Sequence, residues 1–175
     1  MNAVVRAAQA PAAALAAEQK QYLTFMLGGE TFAIGILGIK EIIEYTSLTA
    51  VPMMPDCIRG VINLRGAVVP VMDLAARFGQ PAREVTKRTC IVIVEVESEG
   101  ERQDMGVVVD AVNAVLEIAA ADVAAAPAFG ARIRSDFIEG MGKVNGKFVI
   151  LLNVHQVLSP SEIGALAALG QDAPA

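Results

Sequence analysis

Gly60-Val61-Ile62-Asn63-Leu64-Arg65-Gly66-Ala67-Val68-Val69-Pro70-Val71-Met72-Asp73-Leu74 sets two aliphatic runs on either side of one short polar break. Runs of five to seven residues rich in valine and isoleucine, closed by turn residues, read as strands, with Arg65-Gly66 as the turn between them. Pro70 has no N–H to give a ladder, so its strand should lie at a sheet edge or carry a bulge.

The same pattern continues outward. Upstream, Val51-Pro52-Met53-Met54-Pro55 is a rigid connection, and before it Leu23, Phe25 and Leu27 alternate with Tyr22, Thr24 and Met26. Gly28-Gly29 supplies the positive φ angles of a tight hairpin turn, after which Phe32, Ile34 and Ile36 resume the alternation. Ile39, Ile42 and Ile43 stand at helical spacing among Lys40, Glu41 and Glu44, which predicts one or two helical turns. Downstream, Cys90 to Val96 and Gln103 to Val109 flank a loop at Ser98 to Glu101, and Val112 to Ile118 adds a further strand. Asn145-Gly146 between Phe137 to Val144 and Lys147 to Leu152 is the clearest hairpin signal.

Ser159, with Pro160 and Glu162 behind it, matches a capping box, and Gly170 can end the helix that follows. The expected organisation is a flexible Ala/Pro tail over 1–18, a β-domain over 19–158, a helix over 159–170 and a disordered end over 171–175. Many short strands with helix only at the margins indicate barrels or a sandwich. No internal repeat stands out.

Composition narrows the function classes. The 14 basic and 19 acidic residues leave a net charge of −5, which offers no footprint for nucleic acid or an anionic membrane surface. Cys57 and Cys90 make neither a disulfide framework nor a close metal-ligating pair, and read as reduced core residues in a cytoplasm. The apolar runs Ala67 to Leu74 and Val107 to Leu116 are each broken by aspartate and fall short of the ~20 residues a spanning helix needs.

Catalytic constellations are weak. Gly142-Lys143 and Gly146-Lys147 lack the upstream glycine and the following hydroxyl residue of a phosphate loop, and read as hairpin. His155 is the single histidine, read as structural or exposed after the last strand. Asp73 and Asp110 follow apolar strands and could be acids or bases, but the reading preferred here is that each ends a strand and bonds local backbone N–H groups. Glu95, Glu97, Glu99 and Glu101 suit the solvated face and tip of a hairpin.

The run from Gly60 through Asn63-Leu64-Arg65-Gly66 to Asp73-Leu74 resembles the signature of the CheW family of chemotaxis coupling proteins. Pro55-Asp56-Cys57-Ile58-Arg59-Gly60 is similar to that family's approach to it, Ile39-Lys40-Glu41-Ile42 to its first-barrel motif, and Gly106 to Val112 to its glycine-to-aspartate strand. Gly140-Met141-Gly142-Lys143 and Phe148 to Asn153 resemble its closing hairpin, with Asn153 where many members carry aspartate.

The resemblance implies an all-β fold of two intertwined five-stranded barrels of the Src-homology-3 type, a hydrophobic groove between them, and a C-terminal helix. It implies a non-enzymatic scaffold that joins the cytoplasmic tip of a chemoreceptor to the regulatory domain of the histidine kinase CheA. No cofactor or metal is implied. The chain would be monomeric alone, would assemble into receptor–kinase arrays at the membrane, and would be cytoplasmic without inserting into the bilayer. The partner-binding residues it suggests are Ile39, Glu41, Ile42, Arg65, Val109 and Val112. Two other readings stay open: a same-fold adaptor of another chemosensory pathway such as pilus motility, and a β-barrel enzyme or small-molecule binder using Asp73 or Asp110.

Overall fold

A computed structural model describes residues 19–52, 54–55, 57–81, 84–98, 100–125 and 137–159. The tail over 1–18, all but the first residue of the expected helix over 159–170, and the end over 171–175 lie outside the described residues. Among the described residues eleven strands form two sheets: β1 (Gln19–Leu27), β2 (Glu30–Gly35), β3 (Ile39–Glu44), β4 (Ile58–Leu64), β5 (Ala67–Asp73), β6 (Cys90–Ser98), β7 (Glu101–Val109), β8 (Ala111–Ala119), β9 (Val123–Ala124), β10 (Ile138–Val144) and β11 (Lys147–Leu152). Two one-turn helices, α1 (Leu74–Arg77) and α2 (Val154–Val157), follow β5 and β11.

The sheet orders are β8-β1-β2-β11-β10-β9 and β3-β6-β7-β5-β4. Each half of the chain therefore lends a strand to the other: β3 leaves β2 to pair with β6, and β8 leaves β7 to pair with β1. This interlacing is what the family resemblance implies, and the second sheet has the five strands expected. The first has a sixth, the two-residue β9, whose counterpart in the second is an isolated bridge between Thr49 and Val61.

The pairing also reveals a repeat that the sequence did not. β4, the Arg65-Gly66 turn, β5 and α1 correspond to β10, the Asn145-Gly146 turn, β11 and α2. Both strand pairs have a register shift at the second residue, between Ile58 and Gly60 and between Ile138 and Gly140. Both turns have two positive φ angles, 53° and 87° in one, 52° and 78° in the other, the geometry that matches strand twist in a two-residue hairpin. Asp73 and Asn153 cap the two short helices through side chains that accept from Ala76 N–H and Gln156 N–H.

Alternation along the strands builds three cores. Ile62, Val69, Val71, Ile91, Ile93 and Val108 fill the barrel of β3 to β7, here the second barrel. Tyr22, Ala33, Ile118, Val149 and Leu151 fill the first. The opposite faces of the same strands, including Phe25, Phe32, Val92, Val94, Val107 and Val109, pack with Phe78 and Phe137 into one larger core at the seam. Strands buried on both faces carry near-continuous apolar sequence, which is why the runs read so clearly.

Two expectations are corrected. Ile39 to Glu44 is a strand entered through a single 3-10 turn over Ile36–Gly38, not a helix. Its pairing with β6 shifts between Ile39 and Glu41, leaving Lys40 as an extra residue, and a bulge restores Ile39 and Ile42 to one face at a spacing that imitates a helix. Pro70 does not lie on an edge strand, since β5 runs between β4 and β7, and the bulge of this hairpin falls on the partner strand, at Arg59 of β4, not on β5. Its parallel pairing with β7 covers only Val71, Met72 and Asp73, so the proline falls where the β7 side makes no ladder.

Candidate functional site

Glu41 on β3 and Arg65 on the β4–β5 turn, 24 residues apart, form a bidentate ion pair. Arg65 Nη1 donates to Glu41 Oε2 and Nη2 to Oε1 at 3.2 Å. The contact ties β3 to the turn of β4 and β5, the two ends of the second sheet. Arg65 is 74% exposed along its side chain and Glu41 27%. Hydrogen bonding from Arg65 holds the Glu41 carboxyl below its ordinary range and raises the guanidinium further. Asn63 Oδ1 accepts from Gly66 N–H at 2.9 Å and fixes the turn beneath the pair.

Ile42, beside Glu41, keeps 42% of its surface exposed. A second charged cluster flanks the pair: Lys40 Nζ donates to Asp104 at 3.1 and 3.2 Å and lies 3.7 Å from Glu95. Asp104 raises the Lys40 ammonium above its usual value. Two of the suggested residues, Glu41 and Arg65, thus meet at one end of the second barrel, while Ile42 follows Glu41 in β3 on the opposite, seam-facing side of the strand.

The other three do not. Ile39 and Val112 are half-buried and pack against the seam core. Val109 is 0% exposed and lies within it. The apolar groove expected between the barrels is closed at this point. The cavity bordered by Phe25, Val92, Val94, Val107, Val109 and Leu152 measures about 10 Å³, at the limit of what one water requires. Among the described residues, Val109 is a packing residue.

The repeat exposes a position that sequence reading missed. The β1–β8 pairing shifts so that Asn113 is the extra residue, as Lys40 is in β3. Val112 and Val115 then correspond to Ile39 and Ile42, and Val115 is 52% exposed. Ala114 and Asn145 stand where the second barrel has Glu41 and Arg65, so the first barrel lacks this ion pair.

The residues weighed for catalysis are engaged in structure. Asp73, 3% exposed, accepts from Arg59 Nε at 3.0 Å as well as capping α1. Asp110 accepts from Gly28 N–H at 2.9 Å, a bond across 82 positions. His155 lies exposed on α2, Cys57 is buried, and burial, with Glu44 adding to it, pushes the half-buried Cys90 thiol up.

The model of the CheW-like domain matches residues 21–162. The chain belongs to the CheW family. It is similar to a chemotaxis protein CheW of Klebsiella aerogenes, 33% identical over 144 residues that cover 82% of this chain and 84% of that protein. The crystal structure of the scaffolding protein TtCheW from Thermoanaerobacter tengcongensis superposes with a TM-score of 0.71 at 35% identity, over 79% of this chain and 86% of that one. Protein FrzA of Myxococcus xanthus is 27% identical over 163 residues, 90% of this chain and 99% of that protein. Membership of CheW makes this a chemotaxis coupling scaffold. Among the described residues no helix is long and apolar enough to cross a membrane.

Proposed function

We propose that this CheW-family chain couples the cytoplasmic tip of a chemoreceptor to the regulatory domain of the histidine kinase CheA through protein contacts alone, without turnover or cofactor. The observation that carries the reading is the solvent-facing Glu41–Arg65 pair, together with the exposed Ile42 on the other face of the same strand. A planar, oriented guanidinium on one face of β3 and uncovered aliphatic surface on the other suit protein contacts. Asp73 and Asp110, the residues an enzyme reading would need, are both occupied in holding backbone. The chain would work in the cytoplasm and be recruited to receptor arrays, where repeated small contacts add through multivalency.

Likeness to FrzA supports a second reading, a same-fold adaptor serving another chemosensory pathway. Capture on the purified chain from a lysate of the source organism, without added cofactor, tests both. The proposal expects a receptor and a kinase regulatory domain among the bound proteins, and their identity names the pathway. Catalytic turnover by the purified single chain, with neither partner captured, would contradict it.

A further inference from the structure

We infer that the first barrel carries a separate cleft that accepts one arginine side chain from a protein partner. The inference goes beyond the adaptor reading and uses none of the residues assigned to it.

In the second barrel the extra residue of the β4 bulge is Arg59. Its guanidinium donates to Tyr45 Oη at 3.2 Å and to Asp73 at 3.0 Å, and lies 5.8 Å from the Tyr45 ring centre. This arginine and tyrosine close that part of the barrel. In the first barrel the residue at the same step of the β10 bulge is Glu139. Ile118 takes the place of Tyr45: Tyr45 N–H donates to Thr89 C=O, and Ile118 pairs with Lys20 at the equivalent rung. The guanidinium has become a carboxylate and the aromatic cover an aliphatic side chain.

The result is an open cleft of about 250 Å³, lined among the described residues by Lys20, Tyr22, Ile118, Ala120, Val123 and Glu139. Ile118 and Tyr22 are 3% and 4% exposed and make apolar walls. Burial, with Glu139 adding to it, holds the Tyr22 phenol above its ordinary value and therefore neutral. Glu139 is exposed at the rim. An entering arginine lays its methylene stem on the apolar walls and sets its planar fork on the carboxylate. Such a contact supplies from outside the cation that Arg59 supplies from within. Among the described residues Lys20 is the one cation lining the cleft, and it opposes an entering positive charge.

The test is an amide-resolved NMR titration of the full chain with N-acetyl-arginine amide, read at Lys20, Tyr22, Ile118 and Val123, with N-acetyl-norleucine amide as the uncharged control. The arginine probe is expected to give saturable shifts and the norleucine probe none. Glu139→Gln should weaken binding about tenfold, the loss of one charge-assisted hydrogen-bonded pair, while Glu139→Asp retains part of it. Lys20→Gln should tighten it. Both side chains are exposed, so melts of the variants should match the parent. Equal shifts from norleucine, no saturation, unchanged binding in Glu139→Gln, or weaker binding in Lys20→Gln would each overturn the assignment and leave the adaptor reading intact.

Discussion

Arg65 occupies a backbone position with φ of 53°, where asparagine and glycine are at ease and most residues are not. The first barrel has Asn145 at this step, and its hairpin closes equally well. The turn therefore does not require arginine, and the side chain's one visible engagement is with Glu41. Arg65→Asn should keep the turn and the melting temperature while weakening a receptor or kinase complex about tenfold or more, as for a well-placed interface arginine. Binding titrations and melts on the same preparations separate the roles; a large drop in melting temperature with unchanged affinity would make Arg65 a turn residue only. Glu41 gives the pair its pH signature. Its folded carboxyl titrates below the unfolded one, so the pair contributes fully above the ordinary range near about 4.3 and is lost as pH falls through the lowered value. The melting difference between the parent and Glu41→Gln should be flat from neutral pH down to about 5 and shrink below it. With both groups facing solvent the difference should be small and reduced by salt.

At the scale of elements, the bulges decide what the strands present. Lys40 in β3 and Asn113 in β8 are extra residues that bring Ile39 and Ile42, and Val112 and Val115, to matching faces. Bulges leave little trace in sequence, because an inserted residue turns a period of two into a spacing of three that a helix also produces. For that reason β3 read as helix and Val115 went unnoticed, while the hairpins, marked by Gly28-Gly29, Arg65-Gly66 and Asn145-Gly146, were legible at once. Glu41 and Arg65 could be suggested separately from the family motif, but their contact depends on how the sheet curls. Val109 could not be told from a surface residue, since a strand buried on both faces offers no polar alternation to reveal its orientation. Gly106 tests the packing inside the second barrel. A Cβ there would lie 2.8 Å from Ile91 Cγ2 and 3.1 Å from Val71 Cγ2, both on stiff branched side chains. Gly106→Ala should cost about 1–3 kcal/mol by overpacking, outweighing the gain from a less flexible unfolded chain, in denaturant unfolding at constant m.

For the whole molecule, the seam core makes the two barrels one folding unit. Phe25, Phe32, Phe78 and Phe137 form a ladder with centroid spacings of 6.0, 5.8 and 6.0 Å, and the Arg77 guanidinium caps it 4.6 Å from the Phe137 ring centre. Arg77 Nε also donates to Val157 C=O at 2.8 Å, joining the helix after β5 to the helix after β11. Truncating Phe137, 1% exposed, should cost about 3–5 kcal/mol and lower the melting temperature by roughly 10 °C. Calorimetry should still show one transition; two would mean that the barrels unfold independently. The repeat behind this arrangement escaped sequence reading because its common requirements are glycines, bulges and alternation, which many residue pairs satisfy. Valine stands at both equivalent positions 69 and 149, but Pro70 is replaced by Ile150 and Arg65 by Asn145 at the equivalent steps. In the proposed role, this one small chain holds a receptor and a kinase together by contact alone. Titration calorimetry of the purified chain against a receptor tip and a kinase regulatory domain, separately and then with the other already bound, tests it most directly. Saturable binding to each and a ternary complex with no added cofactor are expected; failure to bind either purified partner, or mutual exclusion of the two, would overturn the proposed coupling.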